Sequence, residues 1–314
     1  MARSKTKVAA RCEAPEPSAQ VNLYTHAALA ENTYRSYRAD MQHFKAAGGS
    51  IPCTAVQLAE YLASHAATLA VATLQHRIIA IHRAHLDAGQ PSPALDPLVK
   101  RTMQGIRRTR GTAQRRVKAL VKDDIIELVL TAEKQKPLKA ARDVALILVG
   151  FAGAFRRSEL VSVLREDITE FDNLGVEIHI RRTKTQQEAG HTVFIPSAKS
   201  SRCPVKALKH WLGLSGIESG AVFRRINRHD QVASSNALTA QSVALMLKSV
   251  MIAAKNADAA KSVAGHSLRA GYCTEAAAAG VPTHTIMGQT GHRSAATLSK
   301  YIRPLTRRNT PSLL

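Results

Sequence analysis

The sequence predicts a mainly α-helical protein with a small antiparallel sheet, an α+β fold arranged in two domains. Its 314 residues suggest two domains, at roughly 100–200 residues for each. Apolar residues recur at spacings of three and four along most of the chain, which is the pattern of one helix face. Two short segments, 176–180 and 192–195, instead alternate apolar and polar residues, as half-buried strands do.

The net charge indicates the class of partner. The chain has 44 Lys and Arg against 23 Asp and Glu, a net charge of +21, which favours nucleic acid or an acidic membrane surface. No stretch reaches the ~18–20 apolar residues of a membrane span. No helix joins a Trp, Phe and Leu face to a Lys-rich face, so the membrane-surface alternative is disfavoured. Aromatic residues make up 4%, too few for a binder that stacks single-stranded bases. We therefore expect double-stranded DNA as the partner and no membrane.

The N-terminal part is predicted to be an all-helical domain, residues 21–106, after a disordered tail, residues 1–20, that shows no apolar period. Each helix combines a start signal with an apolar stripe. The four combinations are Asn32 with Tyr34, Tyr37, Met41 and Phe44; Thr54 with Leu58, Tyr61, Leu62 and His65; Thr73 with Leu74, Ile78, Ile81 and Leu86; and Asp96-Pro97 with Leu98, Met103 and Ile106. The third helix leaves Gln75, His76 and Arg77 on its outward face, where we expect contacts with DNA.

A basic linker, residues 107–118, follows this domain. No acidic residue occurs between positions 101 and 118, and an uncompensated basic run repels itself unless an anion lies along it. We expect the linker to be extended and to cross the DNA backbone, although a solvated linker that is incidentally basic is the alternative. The expected phosphate contacts are Arg107, Arg108, Arg110, Arg115, Arg116 and Lys118.

The second domain is predicted over residues 119–303, with a tail at 304–314. Its predicted helices are 123–134, 140–154, 236–254, 267–279, 283–289 and 294–301. The alternating segments 176–180 and 192–195 predict two antiparallel strands, joined by a loop that contains Lys184.

Several common chemistries lack their motifs. The sequence has no Walker A loop, no H-E-x-x-H and no G-x-S-x-G motif. It has no acidic cluster with two-metal spacing, and its four cysteines form no C-x-x-C pair. We therefore expect neither a metal nor another cofactor. The scattered cysteines also favour a reducing, cytoplasmic location, on the nucleoid when the protein is bound to DNA.

Five segments of the C-terminal half resemble the tyrosine recombinase (phage integrase) family. They are GAFRRSEL at 153–160, RRTKT at 181–185, GHSLR at 265–269, Gly291-His292, and Tyr301 nine residues later. Their order along the chain matches that family. The resemblance extends over roughly residues 30–303, because the N-terminal helices are similar to the core-binding domain of Cre-like site-specific recombinases. It implies a helical core-binding domain followed by a tyrosine-recombinase catalytic domain.

The resemblance implies an enzyme that cleaves and rejoins duplex DNA through a 3′-phosphotyrosine intermediate. A phenol with a pKa near ~10 is a poor nucleophile unless cations or a base lie beside it, and guanidinium groups bind phosphate oxygens bidentately. The implied roles are Tyr301 as nucleophile, Arg156 and Arg269 as the phosphate clamp, Lys184 as acid for the departing 5′ oxygen, His266 for the tyrosine proton, His292 as a hydrogen-bond partner of the phosphate, and Glu159 as a support for the cluster. A homo-tetramer on two paired short inverted-repeat sites is implied as well.

Alternatives remain at several positions. Arg157 competes with Arg156, Arg181 and Arg182 compete with Lys184, and Tyr272 competes with Tyr301. A type IB topoisomerase, which relaxes DNA without exchanging strands between sites, has a similar residue set. A non-catalytic architectural DNA-binding protein is the alternative from another functional class.

Overall fold

The structure, a computed structural model, describes residues 18–112, 117–181 and 190–302. The chain divides into two compact units, Met1–Arg115 and Arg116–Leu314. The division falls inside the predicted 107–118 linker. In the described part of the chain, no helix is long and apolar enough to cross a membrane.

The first unit is a bundle of helices in its described residues. The helices are α1 (Ala19–Ala27), α2 (Glu31–Ala46), α3 (Ala55–His65), α4 (Val71–Asp87) and α5 (Pro97–Arg110). The apolar faces of α2, α3, α4 and α5 meet in one core, in which Phe44, Leu62 and Leu74 are almost completely buried. Two predicted caps are confirmed, because Thr54 forms a capping box with Gln57 at the start of α3 and the Asp96 carboxylate caps α5.

Helix starts differ from prediction at three places. Ser18 caps α1, so residues 19 and 20 are helical and do not belong to a disordered tail; residues 1–17 lie outside the described part. The start of α2 follows Ala30, so Asn32 is not its cap. The start of α4 follows Ala70, so Thr73 does not open it. A capping side chain contributes only ~1 kcal/mol, so packing of the apolar stripe decides where a helix begins.

The inward stripe of α4 corrects one predicted DNA contact. Arg77 is 8% exposed and its Nη1 donates to the Tyr61 hydroxyl at 2.9 Å, so the prediction that it faces DNA is wrong. The reason is helical spacing, because position 77 lies three residues after the buried Leu74. His76 is half-buried and pairs with Asp40, whereas Gln75 is exposed.

The end of the same helix corrects a predicted core residue. Leu86 is 54% exposed, and the neighbouring His85 takes its place in the core. The His85 Nδ1 donates to the carbonyl of Ile81, and its Nε2 accepts from the Cys53 N–H. Both ring nitrogens are therefore satisfied, which permits a histidine to be buried at an apolar position.

The linker begins later than predicted. Helix α5 continues to Arg110 and ends at Gly111, which has a φ of 72°. The first four residues of the predicted 107–118 linker are therefore helical, and the expectation that they are extended is wrong. Arg107 and Arg108 lie exposed on the last turns of this helix, and Arg110 Nη2 donates to the carbonyl of Ala67 at 2.9 Å.

The second unit is mainly helical, with two small sheets among its described residues. The helices are α6 (Lys122–Ala132), α7 (Pro137–Ala152), α8 (Arg157–Ser162), α9 (Pro204–Ser215), α10 (Ala240–Ala254), α11 (Ala257–Lys261), α12 (Ser267–Ala278), α13 (Thr283–Thr290) and α14 (Ala295–Ser299). The strands are β1 (Ile168–Phe171), β2 (Gly175–Ile180), β3 (His191–Pro196), β4 (Arg224–Ile226) and β5 (Val232–Ala237). Helix α7 lies at the centre and contacts α6, α9 and α12.

The predicted strand pair is confirmed. Strands β2 and β3 are antiparallel, with Val176 opposite Ile195 and Ile178 opposite Val193, and all four side chains are buried. Strand β1 adds to the other edge of β2, giving the order β1-β2-β3. The β4–β5 hairpin was not predicted, and residues 236 and 237, predicted as helical, belong to β5. Strand β5 has a mostly exposed, polar sequence without alternation, so it carries no strand signal.

The segment before α6 runs beside the end of α11 and the start of α12. The Lys118 N–H donates to the Ser262 carbonyl at 2.8 Å, and the Leu120 N–H donates to the Ser267 carbonyl at 3.1 Å. The Lys118 ammonium pairs with the buried carboxylate of Asp124 at 2.6 Å. This ion pair anchors the start of the second unit, so the predicted phosphate contact is replaced for Lys118 by an internal partner.

Candidate active site

Arg269 lies at the centre of the site, on the first turn of α12, and is 1% exposed. Its Nη1 donates to the Ala154 carbonyl at 2.8 Å, and its Nη2 donates to the Thr290 carbonyl at 2.5 Å. Nη2 also lies 3.2 Å from His292 Nε2. The buried Nε has no protein hydrogen-bond partner among the described residues. A guanidinium held on one side and unpaired at Nε can bind an incoming anion.

Arg156 is positioned by the start of α8, where it is the N-cap residue. Its backbone N–H donates to Glu159 Oε2 at 2.8 Å, and its guanidinium pairs with Glu159 Oε1 at 2.5 Å. Glu159 is almost completely buried, so its carboxylate holds Arg156 in place and offsets part of the local positive charge. Of the two competing arginines, Arg156 is the one that pairs with Glu159, and Arg157 makes a different contact.

Gly265 provides the space for Arg157. A Cβ at position 265 would fall 2.4 Å from Arg157 Cδ. The glycine before His266 therefore lets the stem of Arg157 cross the start of α12. The charge of Arg157 still reaches the site, because it helps to lower the pKa of His266.

His292 follows α13 through Gly291, whose φ of 63° turns the chain back toward α12. Its Nδ1 lies 2.7 Å from the Thr290 hydroxyl, and the side chain is buried. Burial, followed by the positive charges of Arg269 and Arg156, lowers the pKa of His292 to about 4. His292 is therefore neutral near pH 7.

His266 and Tyr301 complete the site. Burial, then the charges of Arg269, Arg157 and Arg156, lower the pKa of His266 below its ordinary value. The Tyr301 ring lies 4.9 Å from the His292 ring and 6.4 Å from the His266 ring, between centroids. The Arg269 Cζ lies 5.7 Å from the Tyr301 centroid. A phenol therefore lies among two neutral imidazoles and a guanidinium.

The structure brings together five of the six predicted catalytic residues: Arg156, His266, Arg269, His292 and Tyr301. Lys184, the sixth, lies outside the described residues, as do Arg115, Arg116 and the alternative Arg182. Arg181, the other alternative to Lys184, pairs with Asp167 at 2.8 Å. Tyr272, the alternative nucleophile, packs edge-on against Phe151, and burial raises the pKa of its hydroxyl.

Sequence analysis did not identify three residues that hold the site in place. Ala154 supplies a carbonyl to Arg269 from a backbone with φ of 50°, which alanine rarely adopts and which no motif indicates. Gln289 joins α13 to other elements, because its Nε2 donates to the carbonyls of Ala152 and Phe194. Thr290 contacts both Arg269 and His292. The sequence does contain one indication of Thr290, because a polar residue four positions after Ile286 lies on the same face of the helix as that buried side chain.

The arrangement suits the chemistry of a phosphodiester. Two guanidiniums can bind non-bridging oxygens, and a preorganised cationic site stabilises the charge that develops in the transition state. The neutral imidazole of His266 can accept a proton from a phenol. In the described ranges, no group of three or more His, Cys, Asp or Glu residues is placed to hold a metal ion.

Comparison with known proteins identifies the family of the chain. The profile of the Phage integrase family matches residues 118–308. An integrase/recombinase xerD homolog of Selenomonas ruminantium is 35% identical over 283 residues, which cover 87% of this chain and 82% of the relative. Recombinase cre of Escherichia phage P1 is 27% identical over 252 residues, covering 76% of this chain and 72% of that protein.

Solved structures share the fold. A lambda integrase tetramer bound to a Holliday junction matches with a TM-score of 0.57 and 15% identity, covering 90% of this chain and 74% of that one. The family match and the xerD relative together settle the assignment, and the chain belongs to the phage integrase family as a site-specific tyrosine recombinase that acts on DNA.

Proposed function

We propose that this recombinase cuts and rejoins duplex DNA through a covalent bond between Tyr301 and a 3′ phosphate. The Tyr301 oxygen attacks phosphorus, the bond from phosphorus to the 5′ oxygen breaks, and the phosphodiester energy is retained in the phosphotyrosine. A 5′ hydroxyl from the paired site then attacks and releases the tyrosine. The observation that supports this assignment is the position of the Tyr301 ring beside His292 and Arg269.

The surrounding residues take distinct roles in the proposal. Arg156 and Arg269 bind the non-bridging oxygens, and Glu159 positions Arg156 through the ion pair described above. His266 accepts the Tyr301 proton, which its lowered pKa supports because the ring is neutral near pH 7. Lys184 donates a proton to the departing 5′ oxygen, an assignment that rests on its place in the RRTKT segment.

The DNA substrate is a short inverted-repeat site, and two such sites are paired by a homo-tetramer. The net charge of +21 supports binding of a polyanion. The tetramer that lambda integrase, a protein of the same fold, forms on a Holliday junction supports the assembly. Because its substrate is DNA, the protein acts in the cytoplasm, on the nucleoid.

Plasmid substrates separate this proposal from its alternatives. A supercoiled plasmid carrying two copies of the DNA that flanks the gene is incubated with the protein in excess chelator, and the junctions are sequenced. Recombinants with junctions at one short inverted repeat are expected. Relaxation at equal rates with and without the site would indicate a topoisomerase. Tight binding without any covalent product would indicate an architectural protein.

A further inference from the structure

The side chain of Gln289, near the end of α13, joins three elements of the second unit. Its Nε2 donates to the Ala152 carbonyl at 3.1 Å and to the Phe194 carbonyl at 2.9 Å. Ala152 is the last residue of α7, whose final carbonyls have no partner within the helix, and Phe194 lies in β3, an edge strand. Both partners can only accept, so the amide must present its nitrogen to them. The His191 ring adds a second bond to β3, because its Nε2 lies 3.4 Å from the Gln289 carbonyl.

Gln289 lies between the two groups that hold Arg269. The guanidinium donates to the carbonyls of Ala154 and Thr290, at 2.8 and 2.5 Å. Ala154 follows Ala152 by two residues, and Thr290 follows Gln289 directly. The amide of Gln289 therefore ties together the two backbone segments that supply those carbonyls.

We infer that Gln289 is a positioning residue for Arg269. It fixes the separation of the Ala154 and Thr290 carbonyls, and so the direction in which the guanidinium presents its Nε, which has no protein partner among the described residues. The inference rests on the proposed function of Arg269 as a phosphate ligand. It adds a residue that lies outside the five segments on which the family resemblance depends.

The bonds of Arg269 do not by themselves fix these carbonyls. A phosphate that binds at Nε pulls on the same guanidinium that donates to Ala154 and Thr290. Ala154 also has a φ of 50°, a conformation that persists only when the surrounding structure enforces it. Gln289 ties the end of α7 to α13 and β3, so the carbonyls keep their places when Arg269 binds phosphate. Electrostatic stabilisation of a transition state depends on this kind of preorganisation.

Cleavage of two DNA substrates tests the inference. One has the ordinary phosphodiester at the cleavage position, and the other has a methylphosphonate there, in which a methyl group replaces one non-bridging oxygen. The neutral methylphosphonate develops less negative charge in the transition state, so its cleavage depends less on a well-placed guanidinium. Gln289→Met keeps the length of the side chain and removes both donors. It should form covalent complex about tenfold more slowly than the wild type on the phosphodiester, and within about twofold of the wild type on the methylphosphonate.

Other variants serve as comparisons. Arg269→Ala should show the same dependence on the substrate. Gln289→Asn, which keeps the amide but is too short to reach both carbonyls, should do so as well. Gln135→Met is the matched control, because Gln135 Nε2 donates to the Asp143 carboxylate at 3.2 Å just before the opposite end of α7, and it should cleave both substrates at the wild-type rate. Equal slowing of the Gln289 variants on both substrates, or wild-type rates on the phosphodiester, would overturn the inference.

Arginine NMR of the full chain gives a second measurement, without DNA. With 15N-labelled arginine, the side-chain signals of Arg269 are identified by their loss in Arg269→Lys. A guanidinium held at both Nη atoms rotates slowly about its C–N bonds, so we expect separate Nη signals in the wild type and in Gln135→Met. In Gln289→Met we expect faster rotation and merged signals. Unchanged, separate signals in Gln289→Met would overturn the inference. Failure of the phosphotyrosine proposal would abolish the covalent complex and leave this NMR comparison intact, so the two failures are distinguishable.

Discussion

Gly271 on α12 lies directly against the main chain of Leu120, and a Cβ at position 271 would fall 1.8 Å from the Leu120 carbonyl oxygen. The same stretch of chain is hydrogen-bonded to Ser262 and Ser267. The residues that enter the second unit are therefore fastened to the helix that carries Arg269. A side chain at position 271 would therefore have to displace either the main chain at Leu120 or helix α12 itself.

Gly271→Ala is predicted to destabilise the second unit by about 3 kcal/mol or more, because the clash is with backbone that cannot rotate away. Urea unfolding measures the change. Gly213→Ala is the control, since Gly213 lies in α9 with open space around it, and there we expect neutral or higher stability by up to ~1 kcal/mol. Equal midpoints for both variants would show that the contact with Leu120 is not as close as described.

Glu159→Gln should slow covalent complex formation by about a hundredfold while the protein stays folded. The amide keeps the shape of Glu159 but presents an N–H group where Arg156 needs an acceptor, so the guanidinium loses its fixed position. Single-turnover cleavage measures the effect. Glu170→Gln, in an exposed ion pair with Lys209, is the control and should cleave at the wild-type rate. Equal activity of both variants would remove Glu159 from the site.

The fold was predictable where periodicity is strong. The stripe around Leu58 and Leu62 and the alternation in 176–180 both depend on local sequence, and both elements form as expected. The β4–β5 hairpin was not predictable, because its exposed polar residues pair through the backbone and leave no pattern. Arg77 was wrongly predicted to face DNA because its charge suggested an outward position. Inside the bundle, its guanidinium instead donates a hydrogen bond to the Tyr61 hydroxyl.

The catalytic side chains of the site were predictable from the sequence, but the groups that hold them in place were not. Arg156, Arg269 and Tyr301 stand in motifs whose spacing is readable along the chain. The groups that hold Arg269 are largely main-chain carbonyls, such as that of Ala154, and any residue supplies a carbonyl. Their placement depends on tertiary structure alone.

Protein stability should fall on acidification in a way that depends on His292. Its pKa is about 4 in the folded protein against an ordinary 6.5, so the unfolded chain binds the proton first as the pH falls. The stability is fully present above pH 6.5 and is lost between pH 6.5 and 4. Between pH 8 and pH 5 the wild type should lose about 2 kcal/mol more than His292→Gln in urea unfolding. An identical loss in both proteins would contradict the buried neutral ring.

Arg107 and Arg108 should contribute affinity for DNA without sequence specificity. Both are exposed on α5, and each phosphate contact steepens the fall of log K with log salt by about 0.9. Replacing both with Gln should weaken specific and random duplex equally and flatten the slope by up to ~2 units. Lys118→Gln should leave the slope unchanged, because that ammonium is paired with Asp124. Loss of affinity for the specific site alone, at constant slope, would mean that these arginines read sequence.

The central claim is that Tyr301 becomes covalently joined to DNA. Wild type, Tyr301→Phe and Tyr272→Phe are incubated with the flanking DNA, denatured and separated on a gel, and the linked peptide is identified by mass spectrometry. Wild type and Tyr272→Phe should give a protein–DNA band whose phosphate is on Tyr301. Tyr301→Phe should bind the DNA and give no such band. A covalent product from Tyr301→Phe, or a phosphate on another residue, would contradict the account.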